Sequence, residues 1–119
     1  MNMEYKVGDA ISFDGTKDVL MGIIKDIDRF CREKGLRYSL AYGSLIGAVR
    51  HKGFIPWDDD IDILMPRSDY NRFIREYEHP YYKCFSQELD PEWALNFGKL
   101  SDTRTVSIDS FQPVSLCVY

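Results

Sequence analysis

From Asp14 to Lys34 the apolar residues fall at Val19, Leu20, Ile23, Ile24, Ile27, Phe30 and Cys31. Three-and-four spacing of this kind lays one apolar stripe along an amphipathic helix. Asp14 or Thr16 can cap its start, and Gly35 sits where a left-handed residue closes a helix. Residues 36–42 are short, aromatic and aliphatic, and read as a strand ending at Gly43. Gly43 and Ser44 then open a short apolar segment, Leu45, Ile46, Ala48 and Val49, expected to be a helix that stops near Gly53. Residues 53–58, with Pro56, read as a loop. Ile61, Ile63 and Leu64 alternate in part with Asp60 and Asp62, giving a second strand that Pro66 ends. Tyr70, Phe73, Ile74 and Tyr77 restore helical spacing over 67–79, before Pro80. Residues 81–86, 95–100 and 105–108 predict further strands, with turns at Asp90-Pro91 and Ser101-Asp102. The order is helix, strand, helix, strand, helix, then strands, which is a mixed α/β (α+β) fold. Residues 114–119 are apolar, β-prone and followed by no polar tail. Such a segment is either tucked into a sheet or continued by further chain, and continuation is the favoured expectation.

With 119 residues, 45% hydrophobic and 29% charged, the chain has the composition of one globular domain. A net charge of −4 argues against nucleic acid or an anionic membrane as the main partner, since their binders are normally basic. No apolar run approaches the roughly 18 residues of a membrane-crossing helix. The first residues mix Glu4, Lys6 and Asp9 and are not expected to be a secretory signal. Cys31, Cys84 and Cys117 are odd in number and lack CxxC spacing, so they read as reduced thiols of a cytosolic protein.

Chemistry concentrates in Asp58-Asp59-Asp60-Ile61-Asp62. On a strand, residues two apart share a face, which sets Asp60 and Asp62 side by side roughly 6–7 Å apart at the backbone. Two carboxylates so placed repel unless a cation lies between them, and Mg²⁺ shared with substrate phosphates resolves the repulsion. Ile61 and Ile63 would then point into the core. A solvated acidic turn fits the same run, but the flanking Phe54, Ile55, Trp57, Ile63, Leu64 and Met65 are more apolar than such a turn requires. An EF-hand is excluded, because the positions that need Gly and Glu hold Ile63 and Asp69.

Gly43-Ser44, between a strand and a helix, suits a phosphate: glycine admits close approach, the helix start offers N–H donors, and Ser44 adds a hydroxyl. A plain tight turn is an equal reading of that pair. Arg50-His51-Lys52 is a compact cationic group that can grip phosphate oxygens or simply pair with Asp58 or Asp59. Trp57 can stack on a substrate ring or serve as core.

The segment Tyr42-Gly43-Ser44-Leu45-Ile46-Gly47-Ala48-Val49-Arg50-His51-Lys52-Gly53-Phe54-Ile55-Pro56-Trp57-Asp58-Asp59-Asp60-Ile61-Asp62-Ile63 is followed by Met65-Pro66-Arg67 and Asp69-Tyr70. It closely resembles the LicD family, which includes bacterial phosphocholine transferases and is related to the fukutin-type transferases. The resemblance spans about residues 36–102 and takes in Lys99-Leu100 and Asp102. The wider nucleotidyltransferase superfamily carries a Gly-Ser turn followed by a D-x-D pair on a strand.

The resemblance implies a small mixed sheet flanked by helices, with residues 1–119 forming a single partial domain and 1–13 a flexible lead. It implies Mg²⁺ held by Asp60 and Asp62, which are also the catalytic pair, and a phosphate turn at Gly43 and Ser44. Arg50, His51, Lys52, Trp57, Asp58 and Asp59 match characteristic positions and are assigned to substrate or phosphate binding. The implied reaction moves a phospho-alcohol such as phosphocholine from a CDP-linked donor to a sugar hydroxyl of a surface glycan, lipopolysaccharide or teichoic acid. It belongs in the cytoplasm, with peripheral membrane contact through a lipid-linked acceptor. A third carboxylate usually completes such sites, within a pattern like Ile-Asp-Ile-Phe-Pro after an apolar run. Here the sequence ends at Tyr119 where that pattern would begin, and Asp109 sits in only a loosely similar context. A nucleotide-binding module without turnover, or a nucleotidyltransferase acting on another acceptor, are therefore the alternatives.

Overall fold

The long apolar stripe becomes α1 (Phe13–Lys34) in the computed structural model, which describes residues 13–53, 60–93, 95–105 and 114–119, with side chains from residue 15 onward. Asp14 and Thr16 fall inside its first turn rather than ahead of it. Its C-terminus closes as expected: Gly35 takes φ 68°, and the Leu36 N–H reaches back to the Cys31 carbonyl at 2.8 Å. That pattern satisfies an orphan carbonyl and buries Leu36 beside Cys31.

The remaining elements are β1 (Ser39–Leu40), α2 (Tyr42–Arg50), β2 (Asp62–Leu64), α3 (Arg67–Glu76), β3 (Tyr82–Phe85), β4 (Gly98–Asp102) and β5 (Val114–Val118). The strands form one mixed sheet in the order β1-β2-β5-β4-β3. β2 and β5 run parallel, and the other neighbours are antiparallel. The apolar segment near the end of the sequence is thus the central strand.

Alternation along the strands decides which face is covered. Ile63, Leu100, Leu116 and Val118 are fully buried and meet Val19, Leu20, Ile23 and Ile27 of α1 and Phe73 of α3 in one core. Phe30 joins the two helices, with its ring centroid 5.6 Å from Phe73 and 5.2 Å from Tyr77. Burying such side chains contributes about 1.5–3 kcal/mol each. Arg37 fastens the approach to β1 onto α3: its backbone N–H and its Nε–H both donate to Asp69, at 2.7 and 2.9 Å.

Several boundaries differ from expectation. The first strand shrinks to Ser39–Leu40, because Arg37 turns its N–H to Asp69 and Tyr42 leaves the extended region with φ 52° to begin α2. α3 ends at Glu76 rather than His79, since Tyr77 is extended and buried, with its hydroxyl bonded to Asp26. The strand expected over 95–100 is shifted to Gly98–Asp102, behind a bend in which the Trp93 indole N–H donates to the Phe97 carbonyl. Ser101 and Asp102 are strand residues, not a turn; Asp102 is fully buried because Arg104 neutralises it through bonds of 3.0 and 2.7 Å. Of the strand expected over 105–108, Thr105 is not extended in the sheet and the rest lies outside the described residues. Among the described residues, no helix is long and apolar enough to cross a membrane, and the three cysteines are free thiols.

Candidate active site

β1 stops one residue before α2 begins, so β2 lacks a full neighbour along its upper half. Ala41 still donates to the Asp62 carbonyl at 2.9 Å, but the Asp62 N–H has no β1 carbonyl to meet. The Ser44 hydroxyl takes that place and accepts the Asp62 N–H at 2.9 Å, with a longer 3.5 Å contact to the Asp60 carbonyl. The turn and the D-x-D segment, read separately from the sequence, are therefore one hydrogen-bonded unit. The left-handed residue of this turn is Tyr42, not Gly43. A non-glycine side chain at positive φ is uncommon and costs strain that the surroundings must offset.

Asp62 lies on the sheet face opposite the core, since its neighbours Ile61 and Ile63 are buried. Asp60 precedes the strand and is exposed. In register, Asp62 pairs with Cys117, and Cys117 pairs in turn with Lys99. These three residues form a row across β2, β5 and β4 on the face opposite the core. Burial pushes the Cys117 thiol up to about 11; Asp62 and Asp60 add to the rise and the Lys99 ammonium opposes it. Burial first, and then the Asp62 carboxylate, push the Tyr119 phenol up to about 12, with a side-chain hydrogen bond to Asp62. Tyr119 packs edge-on to Tyr42 at 5.3 Å and against Phe97 at 4.8 Å, leaving Tyr42 62% exposed beside Ser44.

Among the described residues, no three His, Cys, Asp or Glu side chains stand close enough to hold a metal by themselves. The oxygen pair of Asp60 and Asp62 suits Mg²⁺, which commonly takes one or two carboxylates and completes its shell with water and phosphate.

Arg50, His51 and Lys52 are exposed at the far end of α2, about 13 Å of helix from Gly43. Lys52 takes φ 55° there, and Gly53 donates back to the Gly47 carbonyl at 3.2 Å, which ends the helix close to the expected point. Lys52, Gly53, Ala48 and Ser44 line a cavity of about 470 Å³ with Met21 and Ile24 of α1. Trp57, Asp58, Asp59 and Asp109 lie outside the described residues.

Residues 35–112 match the LicD/FKTN/FKRP nucleotidyltransferase domain. The chain belongs to that family. The lipopolysaccharide cholinephosphotransferase LicD of Haemophilus influenzae is 38% identical over 96 residues, covering 77% of this chain and 36% of the relative. An uncharacterised protein of Rickettsia prowazekii is 31% identical over 83 residues, 60% of this chain and 31% of the relative. Human ribitol 5-phosphate transferase FKRP is 59% identical over 29 residues, 24% of this chain and 6% of the relative. The chain spans about a third of the length of these two bacterial relatives.

Sequence reasoning did not place Tyr42, Lys99, Cys117 or Tyr119 at the site. For Cys117 and Tyr119 a signal was present: Leu116 and Val118 alternate with Ser115, Cys117 and Tyr119, which assigns the latter three to one face of a strand.

Proposed function

We propose that this chain carries the donor-binding part of a transferase that moves a phospho-alcohol, such as phosphocholine, from a CDP-linked donor to a sugar hydroxyl of a surface glycan. The observation that carries the reading is the Asp62 N–H bond to Ser44, which holds the start of a helix beside the first residue of β2 and the D-x-D segment leading into it. The two relatives with named activities transfer cholinephosphate and ribitol 5-phosphate. Phosphate handling is what those activities share, and the alcohol is what varies.

Asp60 and Asp62 would hold Mg²⁺, and an ion bound there supplies charge neutralisation for the donor's diphosphate. The Ser44 hydroxyl proton, which makes a long 3.5 Å contact to the Asp60 carbonyl, can turn to a phosphate oxygen. The Gly43 N–H at the start of α2 offers a second donor. The acceptor hydroxyl attacks phosphorus in line and CMP leaves. The protein's part is positioning and charge stabilisation, as in phosphoryl transfer generally. Arg50, His51, Lys52, Trp57, Asp58 and Asp59 are assigned to substrate binding around this centre. The reaction runs in the cytoplasm, at a membrane surface where the acceptor is lipid-linked, and residues 1–119 form one part of the transferase domain.

Release of CMP from CDP-choline with Mg²⁺ tests the assignment. Asp60→Ala should lower turnover at least 100-fold while the melting temperature stays unchanged. An Asp60→Ala protein with wild-type turnover and Mg²⁺ dependence refutes it. A second reading of the same site is donor binding without turnover. Calorimetric binding of CDP-choline with no CMP released selects that reading.

A further inference from the structure

The sheet face opposite the α1 core carries a row of side chains with opposite charges at its two ends. Asp60 and Asp62 lie at the β2 end, Cys117 comes next on β5, and Lys99 follows on β4. Neighbouring strands are about 4.8 Å apart, so Asp62 and Lys99 are separated by roughly 10 Å at the backbone. Strand parity fixes their common face: the residues between, Val118 and Leu116 on β5 and Leu100 on β4, all point into the core. Lys99, unlike Lys83 on β3, stands in the row with Cys117 and Asp62. Arg37, Arg67 and Arg104 are each tied to a carboxylate, whereas Lys99 forms no ion pair with any described carboxylate.

A ligand that matches this row must be cationic over the two aspartates and anionic beyond them. A metal-bound diphosphate has that polarity, and a neutral sugar hydroxyl does not.

The geometry points to Lys99 as a binding residue for the diphosphate of the nucleotide donor, reaching it from β4 while Asp60 and Asp62 hold the metal-facing side. This inference rests on the donor reading above and adds to it a third strand and an opposite charge. Lys99 has its own role, distinct from the Arg50-His51-Lys52 group at the end of α2. As a point charge it neutralises anionic oxygens without taking part in bond making.

Calorimetry of the 119-residue chain with CDP-choline and Mg²⁺, run in parallel on Lys99→Met, Lys99→Arg and Asp62→Asn, tests it. Loss of one charge-assisted contact should weaken CDP-choline binding roughly 10- to 100-fold in Lys99→Met. Lys99→Arg should stay within about threefold of wild type, because the charge is kept. Inorganic pyrophosphate should compete with CDP-choline on the wild type and lose that competition in Lys99→Met, which a merely structural lysine would not cause. Melting curves check that each variant is folded; Lys99 is only half-buried, so its replacement leaves the core intact. If Lys99→Met binds CDP-choline and pyrophosphate as the wild type does while Asp62→Asn is impaired, the lysine assignment is wrong and the donor reading stands. If CDP-choline fails to bind the wild type, or binds all four proteins alike, both are overturned.

Discussion

Replacing Ser44 with Ala removes one hydroxyl and tests the link on which the site's geometry depends. In the folded protein that hydroxyl accepts the Asp62 N–H at 2.9 Å, in a position where β1 has already ended. Alanine leaves the N–H without its partner, and a buried unsatisfied donor costs about 1–3 kcal/mol. Ser44 and Asp62 are both only half-buried, so water recovers part of this and about 1–1.5 kcal/mol is expected. For a chain of this size that is a fall of roughly 4–8 °C in melting temperature. The loss of transfer should be larger than the loss of stability suggests. The freed segment, Asp60 to Asp62, carries both aspartates, and a displacement of about 1 Å at a reacting centre can cost roughly 100-fold. Ser44→Thr keeps the hydroxyl and should retain most of both properties. Differential scanning calorimetry and CMP release, measured on the same three proteins, give the two readings together. A Ser44→Ala protein that melts within about 1 °C of wild type and turns over within about twofold would falsify the claim that this bond positions the D-x-D segment.

Two further outcomes follow from the ion pairs. Arg104→Met strands the fully buried Asp102 and should destabilise by about 2–3 kcal/mol in urea unfolding, the lower part of the usual range because the guanidinium is 43% exposed; an effect under about 0.5 kcal/mol would mean that Asp102 is not held by this pair. The Arg37 side chain and backbone N–H hold the Asp69 carboxyl below the usual carboxylate range, so its folded pKa is depressed. Its contribution is present above the unfolded value of 3.8 and is lost as pH falls through the folded value. The urea midpoint should therefore drop as pH falls below about 3.8, and Asp69→Asn should show a shallower drop there, whereas an identical slope in both proteins would contradict the assignment.

Elements with one-dimensional causes were legible in the chain. The stripe of α1 needs only spacing, its end needs only Gly35, and the burial of Ile61 and Ile63 around Asp62 needs only strand parity. What was misread depends on side-chain partners that spacing alone does not reveal. Ser101-Asp102 looks like a turn because two small polar residues ordinarily are one, and only the pairing of Asp102 with Arg104, stacked 3.7 Å above Tyr81, lets a carboxylate enter a strand. Tyr42 looks like the end of a strand because an aromatic residue rarely adopts the left-handed region. Its ring contact with Tyr119, an interaction across 77 positions of sequence, helps to hold it there.

The same distinction explains why the motif could be recognised while its surroundings could not. Gly43, Ser44, Asp60 and Asp62 are local enough in sequence to be matched as a pattern, and the turn that joins them closes over a short stretch of chain. The opposite wall of the site comes from β5, whose parallel pairing with β2 brings Cys117 beside Asp62 and places Tyr119 against its carboxylate. Parallel pairing needs a long crossover, and here that crossover contains α3, β3 and β4. The chemistry of the site is therefore set partly by core packing: Leu116 and Val118, buried against α1 and Ile63, fix the parity that turns Cys117 and Tyr119 toward the aspartates. A slip of one residue in β5 would leave the D-x-D sequence untouched and give it a different wall.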